Sequence, residues 1–182
     1  MSTGLRPGDV LPDLVLPDED GRTHALSALQ GDGALVLLLG RGEHCPRERQ
    51  HQREMLSLQQ WVPVAFTSLV TVLPNAPHDV GRMKSATGAW WTFLSDGEYS
   101  AQDAFGIAEY TDPHHRATVP HTVVVGPGLV VDKTYCGYWF WGRPSPQQLW
   151  VDLQDLFRRT KPDFDPTTPA ARAAWDAAQG PR

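Results

Sequence analysis

Residues 34–39 read Ala-Leu-Val-Leu-Leu-Leu, six consecutive apolar positions with no polar alternation. A strand with one face in water alternates apolar and polar residues. An unbroken run predicts a strand covered on both faces, inside a parallel sheet flanked by helices. Gly40 and Gly42 follow and mark a tight turn. Pro46 then suits the first position of a helix, where its missing N–H costs nothing. That helix is predicted over Pro46 to Gln60, with Arg47, Glu48, Arg49, Gln52 and Arg53 on its outer face and Leu56 and Leu58 beginning its buried side. Cys45 stands where the strand hands over to the helix.

The rest of the chain continues an α/β pattern. Leu14–Leu16 reads as a short strand, residues 18–21 as a turn, and Thr23–Leu29 as a returning strand leading into a helical turn. Strands are predicted over 62–70, 91–94, 118–125 and 129–136, the last two as an antiparallel hairpin around Pro127 and Gly128. Helices are predicted over 78–87, 100–105 and 146–159. Residues 160–182, rich in Pro, Ala and Asp, read as a tail on the surface or loosely ordered.

Composition narrows the function classes. Of 182 residues, 41% are hydrophobic and 20% charged, and the formal net charge is −5. That argues against a nucleic-acid surface, as does the lack of a Lys/Arg block. The longest apolar run is far too short to span a bilayer, and no charged-then-apolar leader opens the sequence, so a cytoplasmic protein with no membrane partner is expected. Two cysteines far apart, Cys45 and Cys136, make neither a disulfide scaffold nor a zinc ribbon.

Several segments occur in the order and spacing of one family: Arg6 to Gly21 (RPGDVLPDLVLPDEDG), Leu26 to Leu29 (LSAL), Gly40 to Pro46 (GRGEHCP), Phe93 to Asp96 (FLSD), Ala104 to Gly106 (AFG) and Val119 to Thr122 (VPHT). Together, over roughly residues 5–158, they resemble the peroxiredoxin-like (alkyl hydroperoxide reductase / thiol-specific antioxidant) branch of the thioredoxin-fold proteins. The resemblance implies a thioredoxin-like α/β fold: a central mixed sheet, helices on both faces and an N-terminal strand extension. It implies one domain over residues 1–160 and a C-terminal tail over 161–182. It also implies a thiol-dependent oxidoreductase without cofactor. Cys45 would attack a peroxide or disulfide, and an external thiol reductant would restore it. The motif departs from the family in places. Gly42 and Leu38 stand where a threonine and a proline are usual, Glu48 closes what would be C-x-x-C, and the usual arginine falls at Val119. Arg41 and Arg116 are the nearest substitutes.

The residues themselves support a nucleophile at Cys45. Unpaired N–H groups and the positive end of the helix dipole stabilise an anion at a helix start, and the anionic form of a cysteine is the nucleophile. Arg41, His44 and Arg47 add positive charge; Glu43 and Glu48 oppose it. An idle buried cysteine is the competing reading. Val119 and Pro120 would offer substrate-binding backbone if their bond is cis, and an ordinary strand-edge segment if it is trans. Cys136 reads either as a resolving cysteine or as an apolar packing residue. The aromatic stretch Tyr135–Pro144, with Trp139 and Trp141, reads as a roof over the Cys45 pocket, a core layer or a homodimer contact. A different class of function, copper or zinc binding, would use Cys45 with His44, His51, His114, His115 and His121; a further alternative is the same fold recruited to a different reaction.

Overall fold

The computed structural model describes residues 5–137 and 141–179. The chain runs β1 (Val15–Pro17), β2 (Thr23–Ala25), α1 (Leu26–Gln30), β3 (Ala34–Leu39), α2 (Pro46–Gln59), β4 (Thr67–Leu73), α3 (Pro77–Thr87), β5 (Thr92–Ser95), α4 (Ser100–Phe105), β6 (His121–Gly126), β7 (Val130–Cys136), α5 (Pro146–Thr160) and α6 (Pro169–Gln179). β1 and β2 form a small antiparallel pair ahead of the main sheet. The main sheet has the order β5-β4-β3-β6-β7. β3, β4 and β5 are parallel, β6 is antiparallel to β3, and β7 is antiparallel to β6. This is the mixed α/β sheet of the thioredoxin-like fold. The reversed strand is β6, in the interior rather than at an edge.

The apolar run behaves as its composition dictates. All six residues of β3 are buried. Because side chains alternate across a strand, Leu35, Leu37 and Leu39 enter one core with Leu26 of α1, Phe105 of α4 and the N-terminal Leu5 and Leu11. Val36 and Leu38 enter the other, with Met55 and Leu58 of α2, Met83 of α3 and Leu149, Leu153 and Leu156 of α5. α5 begins with a capping box: the Gln148 N–H donates to the Ser145 hydroxyl, and the Ser145 N–H donates to the Gln148 side chain.

Three expectations change. The predicted strand at 62–70 begins later, because Val62–Ala65 form a 3-10 turn before β4. Pro63 cannot donate a ladder hydrogen bond, which favours the turn. The tail carries a regular helix, α6, with no buried residue; six alanines and few breakers suffice. On α2, Glu48 and Gln52 lie inside rather than on the outer face, together with His51 and Gln59. Each polar atom of Glu48 and Gln52 that enters the interior has a partner there, as a buried polar group requires.

Gly40, just after β3, permits this. A Cβ there would lie 2.5 Å from Leu73 Cδ2 and 2.9 Å from Glu48 Cδ. Gly40→Ala is therefore expected to destabilise the protein by about 1–3 kcal/mol through overpacking, read as a lower urea midpoint.

Candidate active site

The topology gathers one set of chain segments at one end of the sheet. Leu39 of β3 pairs with His121 of β6, and His121 pairs with Cys136 of β7. The loop leaving β3, the segment entering β6 and the residues after β7 therefore converge. Between them lies a cavity of about 550 Å³ whose walls include Cys45, Arg41, Arg47, Tyr110, Val119 and Arg143.

Cys45 is the N-cap of α2, in extended conformation, with Pro46 following. Its carbonyl accepts from the Glu48 and Arg49 N–H groups at 3.1 and 3.2 Å, and its own N–H donates to Gly42 O. It is 6% exposed. The thiol thus sits under the cavity floor at the positive end of a 14-residue helix.

Arg41 lines the same cavity as Cys45, near enough for the two side chains to influence each other electrostatically. Arg41 is itself clamped: Nε and Nη2 donate to Glu109 at 2.6 and 2.9 Å, and Nη2 donates to Asp112 at 3.0 Å. The bond to Glu109 is the largest of the influences that raise the Arg41 pKa, and the same bond holds the Glu109 carboxyl below its ordinary range. The backbone N–H groups of His114 and His115 turn into the Asp112 carboxylate and lower its pKa, the former most. Arg41 is thus a fixed cation beside the sulfur.

A second cation was not legible in the sequence. Arg143, just ahead of α5, lines the cavity and donates from Nη2 to Glu48 Oε2 at 3.1 Å. Glu48 is 1% exposed. Burial pushes its carboxyl up, but Arg143, then His51, then the N–H donors from Gln52 and Arg41 together outweigh burial and hold it below the ordinary range. Arg143 Nε is buried with no hydrogen-bond partner among the described residues. Gly137 lets the arginine pass: a Cβ there would lie 2.9 Å from Arg143 Cγ.

The other expected residues are placed differently. Arg116 lies away from the cavity. It donates to Gln102 and Asp103 and covers the Tyr99 ring at 4.1 Å; the acceptors of α4 hold it there. Val119 and Pro120 line the cavity, but no cis bond occurs among the described residues. The Val119 N–H donates to Ile107 O, and its carbonyl accepts from His121 Nδ1 at 2.7 Å. The N–H is therefore not free for an extended substrate, and the carbonyl already carries one partner. Trp141 is exposed and outside the cavity wall, and Trp139 lies outside the described residues. Cys136 is exposed and does not line the cavity. Its neighbour Tyr135 packs on the core under α2 and α5, so strand alternation turns Cys136 to the opposite face. Partial burial raises its thiol pKa.

The histidines do not converge on Cys45. His51 is buried against Pro144 O, and His121 against Val119 O. Among the described residues one group offers three donor atoms to a cation: His44, Asp112 and His115. The two rings stack 3.7 Å apart at 3°. An imidazole binds a metal in its ring plane, and parallel planes share no point. Arg41 also occupies the same Asp112 oxygen. As arranged, this is a stacked pair pinned by a carboxylate. Burial, then the charges of His115 and Arg41, lower the His44 pKa, which favours the neutral ring the stack needs.

No helix among the described residues is long and apolar enough to cross a membrane. Comparison with solved structures finds the same fold. BcpB of Mycobacterium tuberculosis, a peroxidoxin, aligns over 86% of this chain and 99% of its own at 18% identity and TM-score 0.72. Reduced Prx3 of Vibrio vulnificus in complex with hydrogen peroxide aligns over 83% and 98% at 18% identity and TM-score 0.71. Peroxiredoxin Q of Xanthomonas campestris aligns over 83% and 96% at 16% identity and TM-score 0.67. A search of the curated proteins finds no match. The profile of the AhpC/TSA family matches residues 7–134, which take in Cys45, Arg41 and the sheet through β7 as far as Thr134, and the chain therefore belongs to the AhpC/TSA family.

Proposed function

We propose that the protein is a thiol-dependent peroxide reductase with Cys45 as its nucleophile. The observation that carries this reading is the sulfur at the start of α2, facing a solvent-connected cavity that it shares with a clamped guanidinium. The Cys45 thiolate attacks one peroxide oxygen. The S–O bond forms as the O–O bond breaks, and the departing alkoxide or hydroxide takes a proton to leave as alcohol or water. In this reading Arg41 and Arg143, which line the cavity with Cys45, stabilise the negative charge that develops on the departing oxygen. Cys45 is left as a sulfenic acid. A reductant thiol then condenses with it, releasing water and forming a mixed disulfide. A second thiol takes that disulfide over and returns Cys45 to its reduced form. Because Cys136 faces the other side of the sheet, the reading favours an external reductant over an internal resolving cysteine.

The test is direct. Hydrogen peroxide in slight excess should make Cys45, identified by peptide mass spectrometry, reactive toward a sulfenic-acid-specific nucleophile, and a dithiol should reverse this. Oxidation confined to Cys136 would overturn the reading. Arg41→Gln should lower the second-order rate with peroxide by about 10²-fold or more, as loss of one pre-placed charge-stabilising donor does, measured by stopped-flow Trp fluorescence.

A further inference from the structure

Glu48, the anchor of Arg143, ends a buried chain of hydrogen bonds leading away from the cavity. The Trp91 indole N–H donates to Thr71 Oγ1 at 2.9 Å. The Thr71 hydroxyl donates to Gln52 Oε1 at 2.9 Å. Gln52 Nε2 donates to Glu48 Oε1 at 2.8 Å. The other carboxylate oxygen, Oε2, accepts from Arg143 Nη2 and from the Arg41 backbone N–H, each at 3.1 Å. Trp91, Thr71, Gln52 and Glu48 are all buried. Thr71 lies on the face of β4 that carries Leu69 and Leu73 in the core under α2.

The chain has one direction. An indole N–H only donates, so the Thr71 oxygen receives it and passes its single proton to Gln52. That sets the Gln52 carboxamide with oxygen toward Thr71 and NH₂ toward Glu48. The reversed amide would bring two oxygens together at the carboxylate. Buried polar chains are costly unless every member is satisfied, and here every link from Trp91 to Glu48 is made.

We propose that Gln52, Thr71 and Trp91 are positioning residues for the cavity: by presenting N–H to one oxygen of Glu48 they hold the carboxylate so that its other oxygen fixes Arg143 in the cavity wall it shares with Cys45. The purpose assigned to this arrangement rests on the thiol chemistry proposed above; the placement of the cation does not.

The experiment reads the cation without using peroxide. Cys45 is alkylated with iodoacetate, an anion, and with iodoacetamide, which is neutral, and the two rates are resolved from those of Cys136 by peptide mass spectrometry. Their ratio reports the positive charge beside the sulfur, and a change in thiol exposure or ionisation cancels from it. Thr71→Val, which keeps the shape and removes the hydroxyl, should lower the ratio by roughly threefold to tenfold, the scale of one screened charge contact. Trp91→Phe should lower it in the same direction, and Thr71→Ser should restore it. Val80→Ala, which thins the same core without touching the chain, should leave it unchanged. A wild-type ratio in Thr71→Val and Trp91→Phe, or an equal fall in Val80→Ala, would overturn the proposal. A wild-type protein that reduces no peroxide would defeat the preceding section and leave this ratio to be read on its own.

Discussion

Cys45→Ser is expected to abolish peroxide reduction, lowering the rate by on the order of 10³-fold or more, as removal of a nucleophile does. The hydroxyl keeps the size and the N-cap position but is scarcely ionised near neutral pH, and it cannot accept an oxygen atom as sulfur does. Fold stability should change little, because the Cys45 side chain caps no helix N–H; its backbone carbonyl does the work at the start of α2. The measurement is thiol-coupled peroxide consumption, with circular dichroism as the control. A serine variant that retains the rate would remove Cys45 from the chemistry. Cys136→Ser should leave the rate intact, since that thiol lies off the cavity wall.

The second large effect concerns stability. Arg143→Met removes the cation facing a carboxylate that is 1% exposed, and breaking a buried pair in this way costs about 3–5 kcal/mol. The pH dependence has a definite sign. In the wild type the Glu48 pKa is lowered, so the pair's contribution is present above the unfolded carboxylate pKa and fades as pH falls through the folded value. Without Arg143, burial dominates and raises the Glu48 pKa above its unfolded value. The variant then folds best with Glu48 protonated and loses stability as pH rises through that raised value. The gap between variant and wild type should therefore widen between pH of about 4 and 7, as urea unfolding at the two values would show. A gap independent of pH would mean that Glu48 is not the group left uncompensated. Arg143→Lys, which keeps a charge but not the planar fork, should recover part of the loss.

The element pattern was legible because it rests on local chemistry. Six apolar residues in a row, closed by glycines, suit a strand buried on both faces, and a proline after a glycine turn suits a helix start. From these, β3, α2 and the position of Cys45 between them follow. The hairpin of β6 and β7 follows from its own turn residues. The helix ending the tail was missed because loop-like neighbours outweighed a short alanine-rich stretch.

The site beyond Cys45 was only partly legible. Arg41 is close to Cys45 in the chain, so its candidacy could be read directly. Arg116 looked equivalent by proximity to β6, yet Gln102 and Asp103 of α4 draw it away. Glu48 and Gln52 read as solvent-facing because charged and amide side chains usually are. What buries them is Arg143, nearly a hundred residues on, together with Thr71 and Trp91 from two other segments. The four-residue spacing of Glu48 and Gln52, with His51 beside them, was the only local hint. By itself, then, the sequence determined which segments are strands and helices and where the nucleophilic sulfur stands, since both depend on residues adjacent in the chain. Only the tertiary structure decided which cations reach that sulfur and which polar groups are buried behind it, because the partners that make such burial tolerable come from distant parts of the chain.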